Sequence, residues 1–442
     1  MTRSLLLSII AFVVVGCNSF SSPARRPQDE ALANTLPAIN RNISDEPVTL
    51  EVWLDLDFTR NNSLYEELAD EFESAYPQVE VEIYSFVRES IPERVELEVL
   101  SDVPPDVVQG HVLAMAARGL AEPLDQQWSD WERENARASA QFLPTALDEV
   151  TWQGTRYGVP LDVYTIVLIY NREHFDQANL PYPEGDYDLF YLQEAAQALT
   201  DPEKERHGLG LTTDPWYIAA WINGAGGTLL SETPEGGYTL DFGSSINIET
   251  LTFLKNIVDA GYAPRPSSRP RDYEDARRQF LEGKISMYFG EAQDIHLIQS
   301  SNPDFPLGVS QLPLTPARER AVSVLGSSGL FIPRGSRHKE IAFEFIKWMT
   351  SDKYVLPMAR RQGRFPAKVW LQTTPEFTKN LSLLPFFDQL DAARPYRLDV
   401  FPFAEQTFSD AVKQVFYDLA TPTEALENAQ LRSQDTVVKP AP

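Results

Sequence analysis

Apolar and polar residues alternate over residues 48–56 (VTLEVWLDL), the period-two pattern of a half-buried strand. Apolar positions then recur at Leu64, Leu68 and Phe72 behind the capping residue Ser63, which is helical spacing. Pro77 ends that helix, residues 79–86 (VEVEIYSF) form a second strand, a helical stretch reaches Leu100, and residues 104–108 (PPDVV) give a third, short strand. Strands alternating with helices predict an α/β lobe with a largely parallel sheet. Ligands of such sheets lie at the carboxyl ends of the strands, which places Asp55, Asp57, Gly110 and His111 on candidate binding loops.

Further along, residues 152–160 (WQGTRYGVP) read as a hairpin and residues 161–171 (LDVYTIVLIYN) as one long apolar strand, followed by a proline-rich break at 179–185. A crossing between lobes fits this stretch. Helices are expected at 189–199 and 244–260, with a glycine-rich loop at 223–227 between them, and residues 284–290 (KISMYFG) form another apolar strand suited to a return crossing. Ile341, Phe345 and Trp348 share one face of an amphipathic helix over 339–349, and helices at 403–419 and 423–431 complete the chain. No period of 20–50 residues recurs, so the pattern is not that of a solenoid or propeller.

The first residues differ in kind. Arg3 precedes an apolar run from Leu5 to Val15, too short to span a bilayer at about 20 residues but suited to a signal-peptide core. It ends in Val14-Val15-Gly16-Cys17, which resembles the bacterial lipobox, where the cysteine thiol receives a diacylglycerol. Residues 1–16 are therefore expected as a lipoprotein signal peptide, Cys17 as the lipidation site, and the Ser-, Pro- and Asn-rich residues 17–47 as a flexible tether. The expectation is an exported bacterial protein, anchored through Cys17, whose body works in the periplasm or on the cell surface.

Composition narrows the function classes. A chain of 442 residues exceeds one ordinary domain, and 43% hydrophobic residues supply ample core. Net charge is −26, a field that repels nucleic-acid phosphate. One cysteine cannot form a disulfide, a Cys-ligated zinc site or a CxxC pair, and the five histidines make no HExxH. No metal or cofactor is assigned. Gly326-Ser327-Ser328-Gly329 lacks the GxSxG spacing of a nucleophile elbow, and neither GxGxxG nor GxxxxGK[ST] occurs. Asp55, Asp57, Asp162 and Glu291 could supply the carboxylate pair of a glycoside hydrolase, a reading the sequence leaves open.

The order of landmarks resembles the family 1 extracellular solute-binding proteins, the sugar-binding lipoproteins and periplasmic receptors of ABC importers. The resemblance runs through VTLEVW, LADEFESAYPQVEVE at 68–82, PPDVV with GLAEPLD at 119–125, and YGVPLDVYTIVLIYNREHFDQANL at 157–180. It continues through FLEGKISMYFGE at 280–291, GSRHKEIAFEFIKWMTS at 335–351 and QGRFPAKVW at 362–370. It implies a two-lobed, periplasmic-binding-protein-like α/β fold with crossing hinge segments. The expected lobes are 48–160 with 291–325, and 161–290 with 326–442. It implies a monomeric receptor, not an enzyme, that captures a sugar or related polyhydroxylated solute between its lobes and delivers it to ABC permease subunits. A carbohydrate-cleaving lipoprotein and a ligand-sensing receptor are the alternatives.

A sugar offers an apolar ring face ringed by hydroxyls, so its site needs aromatic planes beside charged or amide groups. The candidate ligand contacts are Asp55, Asp57, His111, Asp162, Tyr164, Trp216, Trp221, Gly226, Glu291 and Arg364. Trp53, Tyr217 and Asp294 flank them, with core packing or loop solvation as the plain alternative for each.

Overall fold

The computed structural model describes residues 36–56, 63–233, 237–315 and 320–437. The expected signal peptide, Cys17, the tether up to residue 35 and Asp57 lie outside the described residues. Residues 36–47, expected as tether, lie against the body. Leu36 and Ile43 pack on its core, and the Asn40 side chain donates to Glu344 Oε1 at 3.1 Å.

In chain order the elements that position the site begin with β1 (Val48–Asp55), α1 (Leu64–Ala75), β2 (Val79–Phe86) and β3 (Val107–Gly110). Next come β4 (Gly158–Thr165), β5 (Val167–Asn171), β6 (His207–Gly210), α2 (Pro215–Ala225) and α3 (Ser245–Asp259). The last group is β7 (Ile285–Gly290), α4 (Ala292–Ser301), β8 (Leu307–Ser310), β9 (Val324–Phe331), α5 (Lys339–Met349), α6 (Asp352–Gln362), α7 (Pro402–Phe416) and α8 (Pro422–Ser433).

Two sheets define two lobes. The first has the order 365–366, β4, β9, β3, β1, β2, with residues 394–395 paired to β9. Only β1, β2 and β3 form the parallel run expected from the sequence. β9 is antiparallel to both β3 and β4, so the sheet is mixed. The second sheet has the order β8, β5, β7, β6. It is covered on both faces, and its side chains alternate accordingly: Leu168, Tyr170, Met287 and Phe289 enter one core, while Val167, Ile169 and Tyr288 enter the other.

The expected single strand over 161–171 is two strands in two sheets. β4 pairs with β9 in the first sheet and β5 with β7 and β8 in the second, and the chain changes lobes at Ile166. Every residue of β4 and β5 is buried, so the apolar run carries no mark of the break. The expected hairpin at 152–160 contracts to Thr151–Trp152 paired with Thr155–Arg156, and Gly158 already belongs to β4.

The lobe boundaries shift for the same reason. α4 and β8, expected in the first lobe, belong with the second sheet, and β9 returns to the first. α5 and α6, expected in the second lobe, pack on α1, where Phe345 and Trp348 set their rings edge-on to Phe72 at 5.1 and 5.4 Å. The return crossing thus falls between Ser310 and Val324 rather than at 284–290, and a third passage after Pro395 leads to α7 and α8, which finish the second core. The expected glycine-rich loop at 223–227 is mostly the last turn of α2, capped by Gly226.

Candidate functional site

Side chains from both lobes converge beside the crossing strands. Because β1 and β2 run parallel with Asp55 opposite Phe86, the chain leaving β2 carries Arg88 back against Asp55. Arg88 Nε lies 2.7 Å from Asp55 Oδ2, and Asp55 is 4% exposed, a charge-assisted contact largely shielded from water. On β4, Asp162 and Tyr164 are two residues apart and so share a face of the sheet. Asp162 Oδ1 accepts the Ser328 N–H at 3.0 Å and the Ser328 hydroxyl at 2.8 Å, while Arg364 Nη1 stands 3.4 Å from Oδ2. The Arg364 guanidinium carbon lies 4.8 Å above the Tyr164 ring, in cation–π range. Burial raises the Tyr164 hydroxyl above its ordinary pKa, opposed by Arg88 and Arg364.

The second lobe supplies the facing wall. Asp214 caps α2 by accepting the Trp216 N–H at 2.9 Å. The cap fixes Trp216, whose ring lies 5.3 Å from Tyr164 and 5.4 Å from Tyr396. Burial pushes the Asp214 carboxyl up to about 7, against the pull of that N–H. Glu291 precedes α4 and forms a capping box with Asp294, which accepts the Glu291 N–H at 3.1 Å. Burial raises the Glu291 carboxyl, and Arg364 and Arg88 from the opposite lobe pull it down. The Trp216 Nε1 is buried beside Glu291 without an aligned acceptor.

His111 ties this wall to the chain's third passage. Its Nε2 is 2.8 Å from the Tyr164 hydroxyl and its Nδ1 3.0 Å from Asp399 Oδ2. An ionised Asp399 only accepts, so Nδ1 carries a hydrogen and the neutral ring takes the tyrosine proton on Nε2. Burial lowers the His111 pKa, but the Asp399 hydrogen bond and charge outweigh it and the net shift is upward.

The structure therefore brings Asp55, His111, Asp162, Tyr164, Trp216, Glu291 and Arg364 together, and sets two expected residues apart. Trp221, five positions after Trp216, is turned roughly 140° around the helix. It stacks on Phe289 at 4.0 Å and lines a separate cavity of about 380 Å³ with Ile246, Phe253 and Leu312. Gly226 is a helix terminus, with φ of +96° and its N–H given to Asn223 O at 3.1 Å. Asp294 serves the α4 cap and an ion pair with Arg277 at 2.7 Å. Arg88, Asp214, Tyr396 and Asp399 were not singled out from the sequence. Arg88 was legible in principle, since two parallel neighbours end side by side and Arg88 stands two residues beyond Phe86. Among the described residues no group of three His, Cys, Asp or Glu side chains is arranged to hold a metal ion, and no helix is long and apolar enough to cross a membrane.

Two lobes joined by crossing strands, with aromatic and charged side chains meeting between them, define a solute-capture architecture. Residues 57–355 match the bacterial extracellular solute-binding protein family, and the chain belongs to it. A curated relative, the maltotriose-binding protein of Pyrococcus abyssi, is 24% identical over 334 residues, covering 74% of this chain and 68% of the relative. The ABC substrate-binding protein Lmo0181 of Listeria monocytogenes, solved with cycloalternan, superposes with a TM-score of 0.76 at 20% identity, over 88% of this chain and 99% of that one. UgpB of Mycobacterium tuberculosis, solved with glycerophosphocholine, gives 0.75 at 19% identity, over 88% and 98%. These structures share the two-lobed α/β fold expected from the sequence.

Proposed function

We propose that the protein is the solute-capturing receptor of an ABC importer, that its solute is a sugar or oligosaccharide held between the lobes, and that it catalyses no reaction. The observation that carries this reading is the pairing of the Tyr164 and Trp216 rings across the lobes beside Arg88, Arg364 and Glu291. Aromatic rings cover the C–H faces of a pyranose, and guanidinium and carboxylate groups engage its hydroxyls. A solute touching both walls binds the closed arrangement better than the open one, so it shifts the population toward closure. Of the carboxylates that could serve a hydrolase, Asp55 is engaged with Arg88, Asp162 with Ser328 and Arg364, and Glu291 in the α4 capping box. Lipidation at Cys17, a monomeric body outside the cytoplasm and delivery to permease subunits complete the reading.

Thermal unfolding of the purified protein against a panel of mono-, di- and trisaccharides tests it. A true ligand at a hundredfold excess over its Kd adds about 2.7 kcal/mol of stability. A selective rise in Tm with one saccharide class is the expected outcome, and a flat response to every member defeats the sugar assignment. With the responding saccharide, Tyr164→Ala weakens binding by roughly 10- to 100-fold, or about 1.4–2.8 kcal/mol, in isothermal titration.

A further inference from the structure

The charged groups of the cleft are arranged in a way that selects among solutes. A helix N-terminus presents unpaired N–H groups and a partial positive charge, a ready seat for a phosphate or carboxylate of a solute. Both α2 and α4 begin at the cleft, and the chain's own carboxylates already fill the two seats. Asp214 accepts the Trp216 N–H at 2.9 Å, and Glu291 closes the α4 terminus in its capping box. The guanidiniums, the other natural anion receptors, are also engaged within their own lobe, Arg88 with Asp55 at 2.7 Å and Arg364 with Asp162 at 3.4 Å. Asp55, Asp162, Asp214 and Glu291 thus stand against Arg88 and Arg364. Glu291 stands at the start of α4 beside Arg364, since the carbonyl of the next residue, Ala292, lies against Gly363, and its charge also acts on Arg88 and Tyr164 of the first lobe.

We infer that Glu291 is a specificity-determining residue that restricts the cleft to uncharged polyhydroxylated solutes and excludes phosphorylated ones. A phosphoryl group entering here meets the Glu291 carboxylate on the helix end it would otherwise occupy, in a site shielded from water where like charges repel strongly. Neutral hydroxyls face no such conflict, because they donate to carboxylates and accept from the Trp216 N–H. The inference rests on the proposed reading of the cleft as the solute site, and it divides that class between free sugars or polyols and phosphate esters, a division the shared fold leaves open.

The test is isothermal titration of the full chain with matched probes: mannitol and mannitol 1-phosphate, maltose and maltose 1-phosphate, with glycerol 3-phosphate as an anion lacking a sugar ring. The variants are Glu291→Gln and Glu291→Ser. Serine is itself a good helix cap, so the second removes the charge while keeping the helix start. Expected are a wild type that binds the neutral member of a pair at least 100-fold more tightly than its phosphate ester, and variants that narrow this gap at least 10-fold. Glu291→Asp should retain the gap. Equal or tighter binding of the ester by the wild type overturns the inference, as does an unchanged gap in either folded variant. Should no neutral probe bind, the sugar reading fails by itself, and the anions decide the inference alone. Binding of an anion by the Glu291→Ser form but not by the wild type then supports it, while binding by the wild type, or silence of both, overturns it.

Discussion

Gly226 and Arg88 show what a single position does and does not disclose. A glycine-rich stretch suggested a loop for approaching a ligand, but Gly226 holds φ at +96° to end α2, a conformation that costs a side-chain-bearing residue. Gly226→Ala should therefore lower stability by about 1 kcal/mol in urea unfolding while leaving solute affinity unchanged, separating a cap from a contact. Arg88 carries the opposite lesson. Its surroundings in sequence, Val87 and Glu89, mark nothing, and its partner Asp55 is 33 residues away, adjacent only because β1 and β2 lie side by side. Arg88→Ala should weaken the fold as well as the site, by about 1–3 kcal/mol, because it removes the guanidinium hydrogen-bonded to a buried carboxylate. Chemical denaturation at neutral pH measures it, and the double replacement Asp55→Asn with Arg88→Met should recover part of the loss. Asp162 and Tyr164 were reached through the resemblance of residues 157–180 to the family's crossing segment, and their two-residue spacing on β4 sets them on one face. Asp399 was not, since what brings it to His111 is the last passage of the chain.

Among the elements, α5 was foreseen to its ends and yet assigned to the wrong lobe. The spacing of Ile341, Phe345 and Trp348 shows that one face is buried, but amphipathicity does not name the partner. The partner is settled by β9, which inserts between β3 and β4 and returns the chain to the first sheet before α5 begins. Phe72 is the shared contact, fully buried, with Phe345 and Trp348 edge-on to it. Phe72→Ala should cost about 3–5 kcal/mol through the cavity it leaves, and a change confined to solute affinity would contradict this packing. The crossing at Ile166 was hidden by the opposite circumstance. Two strands buried throughout follow one another with only Thr165, a β-branched residue at home in a strand, at the change of sheet, so the pattern reads as one element.

At the scale of the molecule, the junction of the first lobe with the third passage concentrates groups that titrate near neutrality. Burial pushes Glu149 and Glu405 up to about 7, the former against the pull of Arg397 at 2.7 Å, and Asp214 stands at about 7 as well. For these carboxyls the folded state holds protons that the unfolded chain has released above its ordinary range of about 4, so stability falls as pH rises from there through 7. His111, raised by Asp399, acts in the same direction, stabilising below its ordinary pKa of about 6.5 and losing that contribution as pH rises through its folded value. Thermal unfolding followed from pH 8 to pH 5 should accordingly show a rising Tm, and the slope should flatten in Glu149→Gln. Below about pH 4.5 the trend reverses, as Glu71, Asp275 and other ion-paired carboxyls with lowered pKa values take up protons. The interleaving of the lobes also governs how the molecule can be made. Until residue 331 exists, β3 and β4 have no β9 between them and present open edges, and the second core waits longer still for α7 and α8. Neither half is an autonomous unit that synthesis could complete early, and closure depends on contacts far apart in sequence, the kind that form slowly. A chain whose two sheets close only with its late segments therefore stays open through most of its synthesis, and takes its shape after those segments have emerged.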